Sequence, residues 1–252
     1  MKTTRFHIVI PVRMTSERLP GKPLVKLAGR YLLEHVYRCA LKAKAQSVVI
    51  ATDDERIGEA ASGFGARVVM TSTRHSSGSD RIAECVELMG WDDETIVVNL
   101  QGDEPLMPPE CLDQVAQLLS GHTEAECASL YWPMDQAGEI ADPNVVKVVT
   151  DRPGAALFFS RSVIPHPGAW GDLSLALESG ARWKRHIGLY AYRVRGLRSF
   201  TQRERSPLEQ TEKLEQLRIL ESGGRIVMAQ ACQYVPAGVD TAEDLERVRQ
   251  SI

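Results

Sequence analysis

A parallel-sheet α/β core with helices on both faces and a smaller inserted antiparallel lobe is the fold this chain predicts, on three observations. Short β-branched runs alternate with segments of helical period through the first half, the pattern of parallel strands joined by crossover helices. After about residue 131 the pattern changes to strands joined by hairpin signals. With 252 residues, 43% of them hydrophobic and 25% charged, the chain can bury roughly 73% of its unfolded surface, so the core needs no disulfide or metal staple.

The elements follow in order. Phe6–Pro11 is a short β-branched strand, and Leu32 to Ala45 is a helix whose Leu32, Leu33, Val36, Tyr37, Ala40 and Leu41 keep a helical period. Ser47–Ala51 is a buried strand; Thr52, Asp53 and Asp54 then open a helix with Ile57, Ala60, Ala61 and Phe64 inward, which Gly63 and Gly65 end before the strand Arg67–Thr71. The polar loop Ser72–Ser79 leads into a helix carrying Ile82, Val86 and Met89. The strand Thr95–Leu100, a tight Gln101–Pro105 segment and a helix with Leu112, Val115 and Leu119 complete the first half. Ligands of such sheets bind at the C-terminal strand ends, which singles out the loops after Pro11, Ala51, Thr71 and Leu100.

In the second half, Val145–Thr150 and Ala155–Arg161 flank the turn Asp151–Gly154, and Arg185–Val194 is a long strand. Pro207 to Ser222 reads as helix and Arg225–Gln233 as strand. Thr241 to Asp244 caps a last helix with Leu245, Val248 and Ile252 inward. The inserted antiparallel lobe spans roughly 131–200, with substrate closure or dimerisation as its use.

Composition excludes several classes. No apolar run approaches the ~18 residues that span a bilayer, and Arg13 stops the N-terminal apolar stretch too early for a signal peptide. Five scattered cysteines without a Cys-x-x-Cys pair fit reduced thiols in a cytosol and give no support to a thiolate metal site. A net charge of −3 argues against nucleic acid as a partner. Residues 1–30, however, carry seven Lys and Arg against Glu17 alone, a local +6 that suits a small anionic ligand such as phosphate.

The stretch from Arg13 to Leu24 follows the first strand and holds Arg13, Arg18 and Lys22, with Pro20, Gly21 and Pro23 fixing the backbone. Glycine permits close backbone approach to a ligand, and three cations can surround a triphosphate. On charge alone the same stretch reads equally as a basic loop paired with surface acids; two prolines around a lysine favour phosphate. Neither a Walker loop nor a Gly-x-Gly-x-x-Gly after the first strand is present, so a Rossmann dehydrogenase is not indicated. Asp103 lies at a strand's C-terminal end, where a carboxylate can hold Mg²⁺ on substrate phosphates or, more blandly, cap the next helix. His186, Gly188 and Tyr190 share one strand face. Glu209, Glu212 and Glu215 recur every three residues, which on spacing alone is a solvated helix face.

Residues 8–24 resemble the signature loop of the sugar nucleotidyltransferases that activate acidic sugars with CTP. Segments 75–81, 99–105, 185–193 and 238–241 narrow the resemblance to the 3-deoxy-manno-octulosonate (KDO) cytidylyltransferase family, and 159–161 and 206–218 fit it too. It covers essentially the whole chain. Val12, Ser79, Ala191 and Ala242 stand where that family usually has Ala, Thr, Gly and Pro; Ser79 keeps the hydroxyl.

The resemblance implies a single domain over 1–252, of the nucleotide-diphospho-sugar transferase type. It implies the reaction of CTP with KDO to give CMP-KDO and diphosphate, for lipopolysaccharide biosynthesis, with Mg²⁺ as cofactor and a cytoplasmic homodimer with no membrane partner. It assigns Mg²⁺ to Asp103 and Asp240, the triphosphate to Arg13 and Lys22, and phosphate or sugar carboxylate to Arg18. Cytosine and ribose go to Ser77, Gly78 and Arg81, and the sugar acid to Gln101, Arg161, His186, Tyr190 and Glu215. Glu104 is read as structural, and residues 130–132 as an interface candidate. The same chemistry on sialic acid or an 8-amino KDO analogue, or a nucleotide sensor without turnover, are the alternatives. Loss of Lys22, Asp103 or Asp240 would mark the sensor, and all three are present.

Overall fold

The computed structural model describes residues 4–15 and 18–252; residues 1–3, including Lys2, and residues 16–17 of the basic loop lie outside the described residues. In chain order the strands are β1 (Phe6–Val12), β2 (Lys26–Leu27), β3 (Arg30–Tyr31), β4 (Ser47–Thr52), β5 (Arg67–Met70), β6 (Ile96–Asn99), β7 (Cys127–Met134), β8 (Lys147–Thr150), β9 (Ala156–Ser160), β10 (Trp183–Arg193) and β11 (Ile226–Gln230). The helices are α1 (Leu32–Ala40), α2 (Glu55–Gly63), α3 (Gly78–Leu88), α4 (Pro109–Ser120), α5 (Ala137–Ala141), α6 (Leu173–Glu178), α7 (Val194–Gln202), α8 (Pro207–Glu212), α9 (Leu217–Glu221) and α10 (Ala242–Arg249).

The central sheet runs in the order β11-β7-β10-β6-β1-β4-β5. Strands β6, β1, β4 and β5 pair in parallel, with Val9 opposite both Val49 and Asn99. Strand β10 runs against both its neighbours, β6 and β7. Helices α1, α2 and α4 cover one face through Leu33, Val36, Ile57, Ala61, Leu112 and Val115. Helices α3, α7 and α9 cover the other through Ile82, Val86, Leu197, Phe200 and Leu217. Two covered faces explain why these strands read as continuous apolar runs.

Three differences from the sequence reading have physical causes. Helix α1 stops at Ala40 because Leu41, although in register, faces solvent with 55% of its surface exposed, so nothing rewards another turn. Of the antiparallel segment 131–200, β8 and β9 pair as the hairpin expected, and α5 and α6 pack around Trp183 and Ile140. Strand β10 enters the central sheet, where Tyr190 to Arg193 pair with Asn99 to Ile96, and the hairpin joins that sheet through the antiparallel pairing of β8 with β10 at Lys147 and Arg185. Leu130, one of the interface candidates, is consequently interior on β7, fully buried between β10 and β11.

The segment 207–222 is not one helix. Lys213 takes a left-handed conformation (φ 56°) and splits it into α8 and α9, which the buried bidentate pair Glu209–Arg218 holds together at 2.6 and 2.7 Å. The three glutamates are therefore not a solvated face. Glu209 meets Arg218, Glu212 accepts from the Ser160 hydroxyl and the Arg161 amide, and Glu215 accepts from the Ser79 hydroxyl at 2.8 Å.

Candidate active site

The C-terminal ends of β1 and β6 open onto a cavity of about 440 Å³, large enough for a nucleotide. Nine of the residues singled out from the sequence line it: Arg13, Arg18, Lys22, Ser77, Gly78, Arg81, Gln101, Asp103 and Asp240. They come from loops at strand ends, from the turns that precede helices and from the first turn of α3, so the fold brings together residues 227 positions apart.

At the cavity floor, Lys22 is the pivot. Gly21, with φ 68°, turns the chain into a short 3₁₀ helix that begins with Lys22 and Pro23 and aims the lysine inward. Its ammonium donates to Asp103 Oδ2 at 2.6 Å, to Asp240 Oδ1 at 3.2 Å and to the Val239 carbonyl at 2.9 Å. Arg18 pairs with the other oxygen of Asp240 at 2.9 Å. Asp240 is not the cap of the last helix. Thr241 and Asp244 form that capping box, which leaves the Asp240 carboxylate to the cavity.

Backbone approach explains the glycines here. A Cβ on Gly102 would lie 2.9 Å from Val12 Cγ2 and 3.4 Å from the Pro11 carbonyl, so only glycine lets the loop after β6 close against the end of β1. A Cβ on Gly238 would press on the Asp103 carbonyl at 3.1 Å and on Glu104. There the Val239 amide donates to the Asp103 carbonyl at 2.8 Å, holding the Asp240 turn against the Asp103 loop.

On the opposite wall, Ser77 caps α3 in a reciprocal box with Asp80, so the backbone amides that open α3 border the cavity beside Gly78. Arg81 lines the cavity but is tied down. Its guanidinium donates to Asp53 at 2.8 Å and to the Thr71 hydroxyl at 2.5 Å, both at neighbouring strand ends. Sequence reasoning gave no site role to Asp53, Thr71 or the lining residue Thr15, whereas His75 and Ser76, also in the lining, fall within the segment 75–81 that carried the resemblance; the position of Asp53 and Thr71 at the ends of parallel strands was the available signal. Glu104 differs from an ordinary structural acid. Burial, followed by the charges of Asp103 and, less strongly, Asp240, pushes its carboxyl up to about 8 against the pull of Arg185 and Lys22.

Arg161, His186, Tyr190 and Glu215 do not line this cavity. Of the four, Glu215 reaches the first turn of α3, where it accepts from the Ser79 hydroxyl. His186 and Tyr190 do share a face, with ring centroids 5.4 Å apart. The Ser129 hydroxyl donates to the Ile187 carbonyl at 3.0 Å, so its contact with His186 at 3.1 Å must be an Nε2–H donated by the imidazole. Burial lowers the His186 pKa to about 3, which keeps the ring neutral. The Arg161 guanidinium donates to the carbonyls of Glu212 and Pro143, while its own carbonyl accepts from the fully buried Lys147.

Asp103 and Asp240 converge on one cation, the Lys22 ammonium, which is the donor chemistry a hard divalent ion uses. Among the described residues no group of three or more His, Cys, Asp or Glu could hold a metal. Two carboxylates suffice for Mg²⁺, which takes its remaining oxygens from water and substrate phosphates. The residues present fit that ion.

Comparison with known proteins agrees with this geometry. The Cytidylyltransferase family profile matches residues 7–226. The chain is 51% identical over 246 residues to the 3-deoxy-manno-octulosonate cytidylyltransferase of Thioalkalivibrio sulfidiphilus, covering 97% of this chain and 98% of that one. It is 48% identical over 251 residues to the enzyme of the same name from Nitrosococcus oceani, covering 97% and 95%. Among solved structures, a CMP:2-keto-3-deoxy-manno-octonic acid synthetase in complex with CTP superposes with a TM-score of 0.89 at 38% identity, covering 98% of this chain and 97% of that one. With a full-length match at half identity and the same fold, the chain belongs to the cytidylyltransferase family, among the 3-deoxy-manno-octulosonate cytidylyltransferases.

Proposed function

We propose that this chain transfers the cytidylyl group of CTP to 3-deoxy-manno-octulosonate, releasing diphosphate and forming CMP-KDO. The observation that carries the reading is the convergence of Lys22, Asp103, Asp240 and Arg18 in one nucleotide-sized cavity, from loops at both ends of the chain. Arg13, Arg18 and Lys22 neutralise the triphosphate, and the amides opening α3 with Ser77 and Gly78 receive the cytidine. Gln101, beside Gly78 at the cavity wall, offers both a donor and an acceptor to the sugar acid.

The anomeric hydroxyl of KDO attacks the α-phosphorus in line, and diphosphate leaves. Positioning and charge stabilisation do most of this chemistry, and Lys22 lies where the transferring phosphoryl group gathers negative charge. When bound, Mg²⁺ supplies charge neutralisation on the phosphate oxygens and lowers the pKa of the attacking hydroxyl. Asp103 and Asp240 are the residues that would hold it. Arg161, His186, Tyr190 and Glu215 form the sugar side. The Ser79–Glu215 bond supports this placement by linking Glu215 to α3, whose first turn borders the cavity.

The protein acts as a homodimer on these two small molecules in the cytoplasm, serving lipopolysaccharide synthesis. The hairpin and the lobe around α6 expose Leu157, Trp170 and Leu175, which supports the dimer. Diphosphate release with CTP against ATP, GTP and UTP, with KDO, its 8-amino analogue or sialic acid as acceptor, tests the reaction. Release with CTP that requires KDO is the expected result, and preference for another nucleotide or sugar overturns it. Sedimentation at micromolar protein tests the dimer.

A further inference from the structure

Away from the cavity, two thiols meet. Cys111 on α4 is fully buried, Cys232 just past β11 is exposed, and their sulfurs lie 3.8 Å apart across 121 positions of sequence. Gln114, nearly one turn further along α4, clasps the same segment. Its amide nitrogen donates to the Gln230 carbonyl, and its oxygen accepts from the Cys232 amide, both at 2.8 Å. The Cys111 thiol also faces the Gln233 carbonyl at 3.8 Å. The held segment runs straight to the cavity. The Val235 carbonyl accepts from Arg185 at 2.7 Å, the Val239 carbonyl accepts from Lys22, and Asp240 follows.

We propose that Cys111 and Cys232 form a reversible disulfide under peroxide, a redox-sensitive modification site that draws the segment after β11 toward α4 and slows turnover. The exposed Cys232 thiolate attacks a peroxide oxygen and breaks the O–O bond, giving a sulfenic acid and, with one proton, water. The Cys111 sulfur then attacks the sulfenic sulfur. The hydroxide displaced takes up the Cys111 proton and leaves as a second water. Two thiols lose two electrons and two protons, and hydrogen peroxide becomes two waters.

Burial pushes the Cys111 thiol up to about 12, so Cys232 reacts first and Cys111 resolves it. Cys85 and Cys127 are buried, and Cys39 donates to the Met107 carbonyl. Closing the bond requires the sulfurs to approach from 3.8 Å to about 2.05 Å. Cys111 is packed into the core, so the exposed strand-end segment moves, strains the Gln114 clasp and the Val235–Arg185 bond, and shifts Asp240. The effect on turnover rests on the proposed role of Asp240, whereas the cross-link does not.

Full-length protein and its Cys232→Ser variant, each treated with near-stoichiometric hydrogen peroxide, alkylated and mapped by mass spectrometry, test the site. Wild type should lose two thiols, yield a linked Cys111–Cys232 peptide and show a roughly tenfold or greater fall in turnover, since an ångström of misplacement is costly in catalysis. Dithiothreitol should reverse all three, and Cys232→Ser should keep its rate. Absence of the linked peptide overturns the site. A linked peptide with unchanged turnover overturns the pull on Asp240. Absent cytidylyl transfer in the reduced protein would instead refute the function proposed above, whatever the cross-link does.

Discussion

Replacing Asp240 with asparagine separates charge from shape. The side chain is 48% exposed, with one oxygen 3.2 Å from the Lys22 ammonium and the other 2.9 Å from Arg18. Screened by solvent, such pairs contribute no more than about 1 kcal/mol to stability, a shift of roughly 2–4 °C in melting temperature for a chain of this size. Capping is not at stake, because Thr241 and Asp244 cap α10. The substituted amide can still accept from Lys22 but turns its NH₂ toward Arg18 and carries no charge for Mg²⁺. Turnover should fall roughly a hundredfold or more, about 2.7 kcal/mol of barrier, and the Mg²⁺ dependence should move to higher concentration. CTP binding should persist through Arg13 and Lys22. Diphosphate release across a Mg²⁺ titration, with calorimetry for CTP, measures both. A variant with wild-type rate and Mg²⁺ dependence would remove Asp240 from the chemistry, and a large loss of melting temperature would show that its role is in the fold.

Lys22→Ala should lower turnover by roughly tenfold or more, and it also leaves Asp103 and Asp240 without their shared cation. Lys22→Arg should rescue poorly, since a planar fork cannot replace a point charge bonded to three oxygens, and steady-state rates on folded variants decide. Gln101→Ala should raise the KM for KDO more than that for CTP; the opposite split would place the sugar elsewhere. His186 sets a pH window. Its pKa is about 3 folded against an ordinary 6.5, so the unfolded chain binds the extra proton between these values. The stability gained by keeping it neutral is complete above about 6.5 and is lost toward pH 3, at up to ~1.4 kcal/mol per pH unit. Denaturant unfolding from pH 7 to 4 should show a shallower decline for His186→Gln than for wild type.

The strand–helix alternation from Phe6 to Ser120 and the box at Thr241–Asp244 were legible in the chain, because they depend on residues at most a turn or two apart. So was the side of the sheet where a ligand belongs, since parallel strands with crossover helices leave only their C-terminal loops free to converge. Nine site residues followed from those loops and from family resemblance. Other features were set by contacts between distant segments. The spacing of Glu209, Glu212 and Glu215 is the same on a solvated helix as on one broken at Lys213, and only docking against Arg218, Arg161 and Ser79 buries their carboxylates. Strand β10 has the composition of a hairpin strand and of a central one alike; its pairing with β6 and β7 decided the matter. His186 has an ordinary histidine's sequence context, and the sheet and the Phe159 ring closed over it lower its pKa. Asp240, 137 residues beyond Asp103, meets it through Lys22 because the tertiary fold lays the last turn against the first loop, a contact of a range that no local periodicity encodes.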